Sequence, residues 1–370
     1  MKYLAYLLSL TYALPLLAQQ SPIFEEKVNQ FLNKSLERNL QVGCKPRIYK
    51  AKSTVPFKGT VVLHHGFTAC PQQFFELSEK YLTPAGYDVL LTVLPGHGGT
   101  WDNKGHDQFD LLMGRKNMET VTEKFTSEIN DIMKNAAGEK IIGGLSIGSE
   151  FAYHSVLKNP KLYQRLIMIS PFFRLSNEKK EFEPGKHLFL KIMQTVLGPI
   201  SKARPKLIDE LTDDKPPILL RPFKGLKNSR NGWGKGCSET ERQGGRAGTC
   251  EFSLDKISAI QKYGEYLLSQ NPPKDIQIQF VGVRKDPTAS VPHAYSLYQK
   301  IKEQSKAKVN FCLTPKSVNH SMLSRFDSPT ENKYWIEKAL ENVSDFIIDG
   351  KQLDESSGDD DYMDCADILE

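Results

Sequence analysis

The chain has 370 residues, of which 39% are hydrophobic and 25% charged, and a formal charge of +5. This composition is that of a globular protein and excludes a low-complexity or mainly disordered chain. With one long apolar run only, at the N-terminus, it also excludes a protein that crosses a membrane many times.

Residues 1–18 carry an early cation, Lys2, then an apolar run over 4–17 and the small residue Ala18 before polar Gln19 and Gln20. This reads as a secretory signal peptide, because the run is shorter than the roughly 20 residues a spanning helix needs. An uncleaved anchor is the alternative, prompted by bulky Leu16 three residues before the cut. Export makes the six cysteines candidates for disulfides. Cys237 and Cys250 are the expected pair, bracketing a glycine-rich loop with little apolar content, whose closure contributes about 3 kcal/mol. Cys44, Cys70, Cys312 and Cys365 are left unassigned, since spacing does not decide connectivity. A buried or bridged state is expected for Cys70 rather than a reactive one.

Ile23, Phe24, Val28, Phe31, Leu32 and Leu36 recur at helical spacing. From Gly59 onward, compact β-branched runs at 60–64, 87–93, 140–145, 166–170, 276–282 and 309–313 alternate with helical patterns at 72–83, 118–135, 151–158, 294–304 and 332–348. That alternation predicts an α/β fold, a mostly parallel central sheet flanked by helices. No core strand is expected between Phe173 and Lys274. The chain therefore divides into a core over 19–174 and 273–350, an inserted cap or lid over 175–272, and an acidic tail over 351–370. The tail carries eight carboxylates and no cation after Lys351, and is read as a solvated, disordered segment. Its aspartates do not have the spacing of an EF-hand loop.

Chemistry concentrates at the strand ends. Gly144-Leu145-Ser146-Ile147-Gly148 is a G-x-S-x-G pentapeptide between a predicted strand and a predicted helix, which is the context that exposes a serine hydroxyl on a sharp turn. Ser146 is thus the candidate nucleophile. It needs a base, and the base needs a carboxylate to orient it. Asp286 follows the predicted strand 276–282 and His320 follows 309–313, both at the C-terminal edge of the sheet. His293 is a rival base, although it opens a helix only seven residues after Asp286. His65 reads as structural. Backbone N–H groups of Phe67 and Ile147 are the candidate oxyanion donors, and His97, in Leu94-Pro95-Gly96-His97-Gly98, is a candidate substrate contact. No metal or cofactor is called for.

His65-Gly66-Phe67-Thr68, Leu94-Pro95-Gly96-His97-Gly98 and the serine pentapeptide together resemble the bacterial carboxylesterase and monoacylglycerol lipase (serine aminopeptidase S33-like) branch of the α/β-hydrolase superfamily. The resemblance runs from about 59 to 348, apart from the insertion. It implies an α/β-hydrolase fold with a cap and an esterase or lipase without cofactor. It also implies Asp286 and His320 as acid and base, with Phe67 donating to the oxyanion. The signal peptide, the long insertion and the acidic tail depart from that pattern.

The expected substrate is a small acyl ester, such as an acylglycerol or lysophospholipid, with the expected location secreted or periplasmic. Residues 187–197 of the cap are either an acyl wall or ordinary helix packing. The same set of residues also serves peptide hydrolysis and acyl transfer, and a non-catalytic secreted binding protein is the reading from another class. Cap cations Arg221, Lys224, Lys227, Arg230, Lys235, Arg242 and Arg246 are read either as a solvated loop or as an attractor of an anionic substrate or lipid surface. Nucleic acid is not an expected partner, because this basic cluster has little aromatic interleaving beyond Trp233.

Overall fold

The aliphatic runs pair into one seven-stranded sheet. The computed structural model describes residues 20–36, 38–99, 118–176, 233–235, 245–248, 251–284, 286–314, 318–328, 333–352 and 365. In chain order the sheet strands are β1 (Arg47–Tyr49), β2 (Gly59–His64), β3 (Tyr87–Thr92), β4 (Glu139–Leu145), β5 (Arg165–Ile169), β8 (Gln277–Val283) and β9 (Lys308–Thr314). Their spatial order is β1-β3-β2-β4-β5-β8-β9. All neighbours are parallel except β1, which runs antiparallel to β3 at one edge. Every residue of β2, β3 and β5 is buried, as expected for strands covered on both faces.

Side chains alternate between two cores because successive strand residues point to opposite faces. Val62, Leu90, Ile142, Leu166, Met168 and Phe280 join one core. Its helices are α1 (Pro22–Leu36), α3 (Met118–Lys134), α4 (Ile147–Lys158), α5 (Leu254–Ser269) and α6 (Val291–Gln304). Val61, Leu63, Val89, Ile141, Ile167 and Val281 face the other core, with Leu340, Val343 and Phe346 of α7 (Lys333–Asp349). The predicted helix 72–83 is a helical segment over 71–82, α2, built from a 3-10 turn, one α-turn and a π-turn.

Within the insertion, β6 (Trp233–Lys235) and β7 (Glu251–Ser253) form a separate antiparallel pair. Helix α5 lies on the core, with Ala259, Ile260, Tyr263 and Leu267 buried among the residues of α3 and α4. The segments 1–18 and 187–197 and the pair Cys237–Cys250 lie outside the described residues. Among the described residues no helix is long and apolar enough to cross a membrane.

Two disulfides join cysteines that spacing left unassigned. Cys44–Cys70 ties the segment before β1 to the loop after β2, and Cys312–Cys365 ties β9 to the acidic tail. Closing loops of 26 and 53 residues contributes about 3 to 4 kcal/mol each by chain entropy.

Candidate active site

The pentapeptide makes the turn that its glycines permit. β4 ends at Leu145, α4 begins at Ile147, and Ser146 between them has φ 57° and ψ −121°. A Cβ on Gly144 would lie 2.1 Å from the carbonyl carbon of Gly148, and one on Gly148 would lie 2.0 Å from the His64 oxygen. Any side chain at either position would therefore push the helix off the sheet. The turn is held by the Ser146 N–H bond to the Ile169 oxygen (2.8 Å) and by the Ser149 hydroxyl bond to the Gly144 oxygen (2.7 Å). Ile147, as the first helical residue, has no intrahelical acceptor for its N–H.

Three of the four non-glycine residues with positive φ among the described residues, Thr68, Ser146 and Ser170, follow β2, β4 and β5. They lie at one edge of the sheet. Such backbone costs about 1–3 kcal/mol per residue and persists only where surrounding bonds over-determine it.

Asp286 and His320 arrive at the same edge from β8 and β9. The His320 Nδ1–H donates to Asp286 Oδ2 across 2.6 Å. The other carboxylate oxygen, Oδ1, accepts the Thr288 and Ala289 N–H groups at 2.7 and 3.0 Å. Asp286 is buried, and His320 Nε2 is buried with no hydrogen-bond partner among the described residues. With Nδ1 donating, a neutral imidazole presents a lone pair at Nε2. The Ser170 hydroxyl donates to the His320 carbonyl at 2.9 Å, one residue from the Ile169 oxygen that anchors Ser146. His293 is held elsewhere, its Nδ1 2.7 Å from Ser290 Oγ.

The loop after β2 lies against this turn, since a Cβ on Gly66 would lie 3.4 Å from the Ser146 Cβ. Gly66 donates its N–H to Gln73 Oε1 at 2.8 Å. His65 donates from Nδ1 to the Gly66 oxygen (2.8 Å) and accepts the Leu94 N–H at Nε2 (3.0 Å). It therefore staples two loops as a neutral ring. Burial is the main reason its pKa is lowered to about 3. His64 is likewise lowered to about 3 by burial. His97 is buried, with its ring packed edge-on against His65 and Phe67, and burial holds it well below the usual histidine range.

These rings set an acid limit. Unfolded histidines take up protons below about pH 6.5, while His64 and His65 stay neutral in the fold down to about 3. Stability present above pH 6.5 is lost as pH falls, by about 1.4 kcal/mol per pH unit for each ring. Urea midpoints measured from pH 7 to 4 should fall steeply, and a flat profile would contradict the buried neutral state.

Two features escaped the sequence reading. Glu150, four residues after Ser146, is fully buried with neither carboxyl oxygen hydrogen-bonded among the described residues, and burial raises its pKa well above the usual range. It lies within α4 itself and faces α5, where a Cβ on Gly264 would lie 3.0 Å from its Oε1. Arg246, read as one of a set of loop or surface cations, is buried: its side chain is 5% exposed and its Nε bonds Asp327 Oδ1 at 2.5 Å. Buried guanidinium groups need such a partner.

A mostly parallel sheet with helices on both faces, a strained serine between β4 and α4, and an Asp–His pair after β8 and β9 define the α/β-hydrolase fold, and the chain has it. Residues 56–218 match the family described as serine aminopeptidase, S33. Solved structures similar to this chain include a soluble variant of monoglyceride lipase from Saccharomyces cerevisiae in complex with a substrate analogue, 14% identical over 84% of this chain and 92% of that one, with a TM-score of 0.49. The monoacylglycerol lipase of Paleococcus ferrophilus is 12% identical over 83% and 98%, with a TM-score of 0.48. A thermostable carboxyl esterase from Bacillus coagulans in complex with glycerol is 16% identical over 82% and 93%, with a TM-score of 0.47. No curated protein matches the sequence.

Proposed function

We propose that the chain is a serine hydrolase of carboxylic esters in which Ser146, His320 and Asp286 act as nucleophile, base and orienting acid. The observation that carries this reading is the buried Asp286–His320 bond, with Nε2 left without a partner at the sheet edge where Ser146 sits. His320 takes the hydroxyl proton as Ser146 attacks the acyl carbonyl, then gives it to the leaving alcohol. The N–H groups of Ile147 and Phe67 receive the oxyanion, each worth a few kcal/mol in the transition state. Water then attacks the acyl-enzyme by the same route in reverse. His97, expected as a substrate contact, is buried against Phe67, so its proposed part is to pack that residue and not to touch the substrate.

Acylglycerols or lysophospholipids are the proposed substrates, with the insertion 175–272, apart from the core-packed α5, as the cap that selects among them and its cations other than the buried Arg246 contacting an anionic lipid surface. The signal-like segment 1–18 and the two disulfides support a secreted or periplasmic setting. A second reading, peptide hydrolysis, is favoured by the description of the matching family.

A fluorophosphonate probe tests the chemistry. The expected result is one covalent adduct, mapped to Ser146 by peptide mass spectrometry; folded protein that takes no label would reject the proposal. p-Nitrophenyl esters graded in chain length, run beside aminoacyl p-nitroanilides, separate esterase from peptidase. Turnover confined to the anilides would replace the first reading with the second.

A further inference from the structure

We infer that Arg246, carried by the insertion, is a positioning residue that holds the oxyanion loop and the base-bearing loop in register; this rests on the roles proposed for Phe67 and His320. The four residues 245–248 are stitched into the core by backbone and side-chain bonds. The Gln41 side chain accepts the Gly248 N–H and donates to the Gly248 oxygen, both at 3.1 Å. The Gln72 side chain accepts the Ala247 N–H at 2.8 Å and donates to the Gly245 oxygen at 3.2 Å. Gln41 and Gln72 flank the Cys44–Cys70 bond, so the segment lies over that disulfide. A Cβ on Gly248 would lie 2.2 Å from the Thr68 oxygen, which places the segment's backbone directly on the oxyanion loop.

From this seat Arg246 reaches both loops. Nη2 donates to the Thr68 hydroxyl at 3.3 Å, and Nε donates to Asp327. Thr68 follows Phe67 and has φ 60°, so it is the strained neighbour of the proposed donor. Asp327 lies seven residues after His320, in the same run of turns, and its side chain is 5% exposed. A buried ion pair is a poor source of stability compared with apolar residues of the same volume, but a guanidinium held at two of its nitrogens, Nε by Asp327 and Nη2 by Thr68, specifies an arrangement. Here the arrangement specified is the spacing between the donor loop and the base loop. Misplacing catalytic groups by about 1 Å costs about 10²-fold in rate.

The test uses Arg246→Met, Arg246→Lys and the double variant Arg246→Met/Asp327→Leu, each checked for folding by circular dichroism and thermal midpoint. For each, kcat, KM and the rate of fluorophosphonate labelling are measured on the full chain. Arg246→Met is expected to lower kcat and the labelling rate about 10²-fold with KM little changed. Arg246→Lys should recover part of that loss, because lysine pairs with Asp327 but cannot also fork to Thr68. If the single variant does not fold, the double variant removes both charges together and carries the same readout. A lowered thermal midpoint with kcat and labelling rate intact would make Arg246 a structural clamp only, and would overturn the inference. Labelling of the wild type separates the two failures. Wild type labelled as fast as a folded variant overturns the role of Arg246 alone, whereas unlabelled wild type overturns the proposed function and this inference with it.

Discussion

Replacing Ser146 with alanine is expected to lower kcat on a p-nitrophenyl ester by about 10⁶-fold while the protein stays folded. The size follows from the unit formed by nucleophile, base and acid: once the hydroxyl is gone, the His320 lone pair has nothing to deprotonate. Only the oxyanion donors and substrate binding then accelerate attack by water, by about 10³–10⁴-fold over solution. The fold should survive because the turn is held by backbone, through the Ser146 N–H and the close approach of Gly144 and Gly148, and alanine keeps both. Single-turnover kinetics with a thermal midpoint on the same sample make the measurement. A variant within tenfold of wild type would assign the chemistry to another residue.

The second large effect is expected at Asp286→Asn, a loss of about 10⁴-fold in kcat at neutral pH. The argument is one of hydrogen-bond polarity. Asp286 Oδ1 accepts two backbone N–H groups, from Thr288 and Ala289. An asparagine must keep its carbonyl oxygen there, because an amide NH₂ facing two donors would leave all of them unpaired. Its NH₂ is then turned to His320 Nδ1, which has to accept. That drives the ring proton onto Nε2, the atom that should receive the Ser146 proton. The side chains are nearly isosteric, so a thermal midpoint close to wild type should accompany the loss. Activity within tenfold of wild type would show that Asp286 does not set the tautomer.

The strands were legible because burial on both faces demands compact β-branched runs, and six of the seven sheet strands carry one. β1 escaped because three half-buried residues, Arg47–Tyr49, owe their conformation to pairing with β3 and not to their own pattern. The helix over 71–82 was legible in extent but not in winding, since the spacing of apolar residues such as Phe74 and Leu77, both buried, does not distinguish 3-10 and π turns from α turns. Cysteine pairing was closed to the sequence. Cys44 meets Cys70 only because the loop after β2 folds back over the segment before β1. At the site, Ser146 was legible from glycines whose absence of side chains is a steric requirement, and Asp286 and His320 from their order after successive strands. Arg246 was not, because one of a set of cations in a glycine-rich stretch reads as solvated until Asp327, 81 residues on, is brought beside it. Glu150 left a weaker signal, an acid within a helix whose first ten residues are all buried.

The Cys312–Cys365 bond bears on self-association. β9 is an outer strand of the sheet, and an outer strand offers a row of backbone donors and acceptors to which another chain could add. The bond fastens a segment with eight carboxylates to that strand. The opposite outer strand, β1, is three residues long and too short a template to recruit a neighbour. One outer strand is thus guarded by its brevity, while the other is fastened through Cys312 to the C-terminal segment, a tie that reduction of a single disulfide would release.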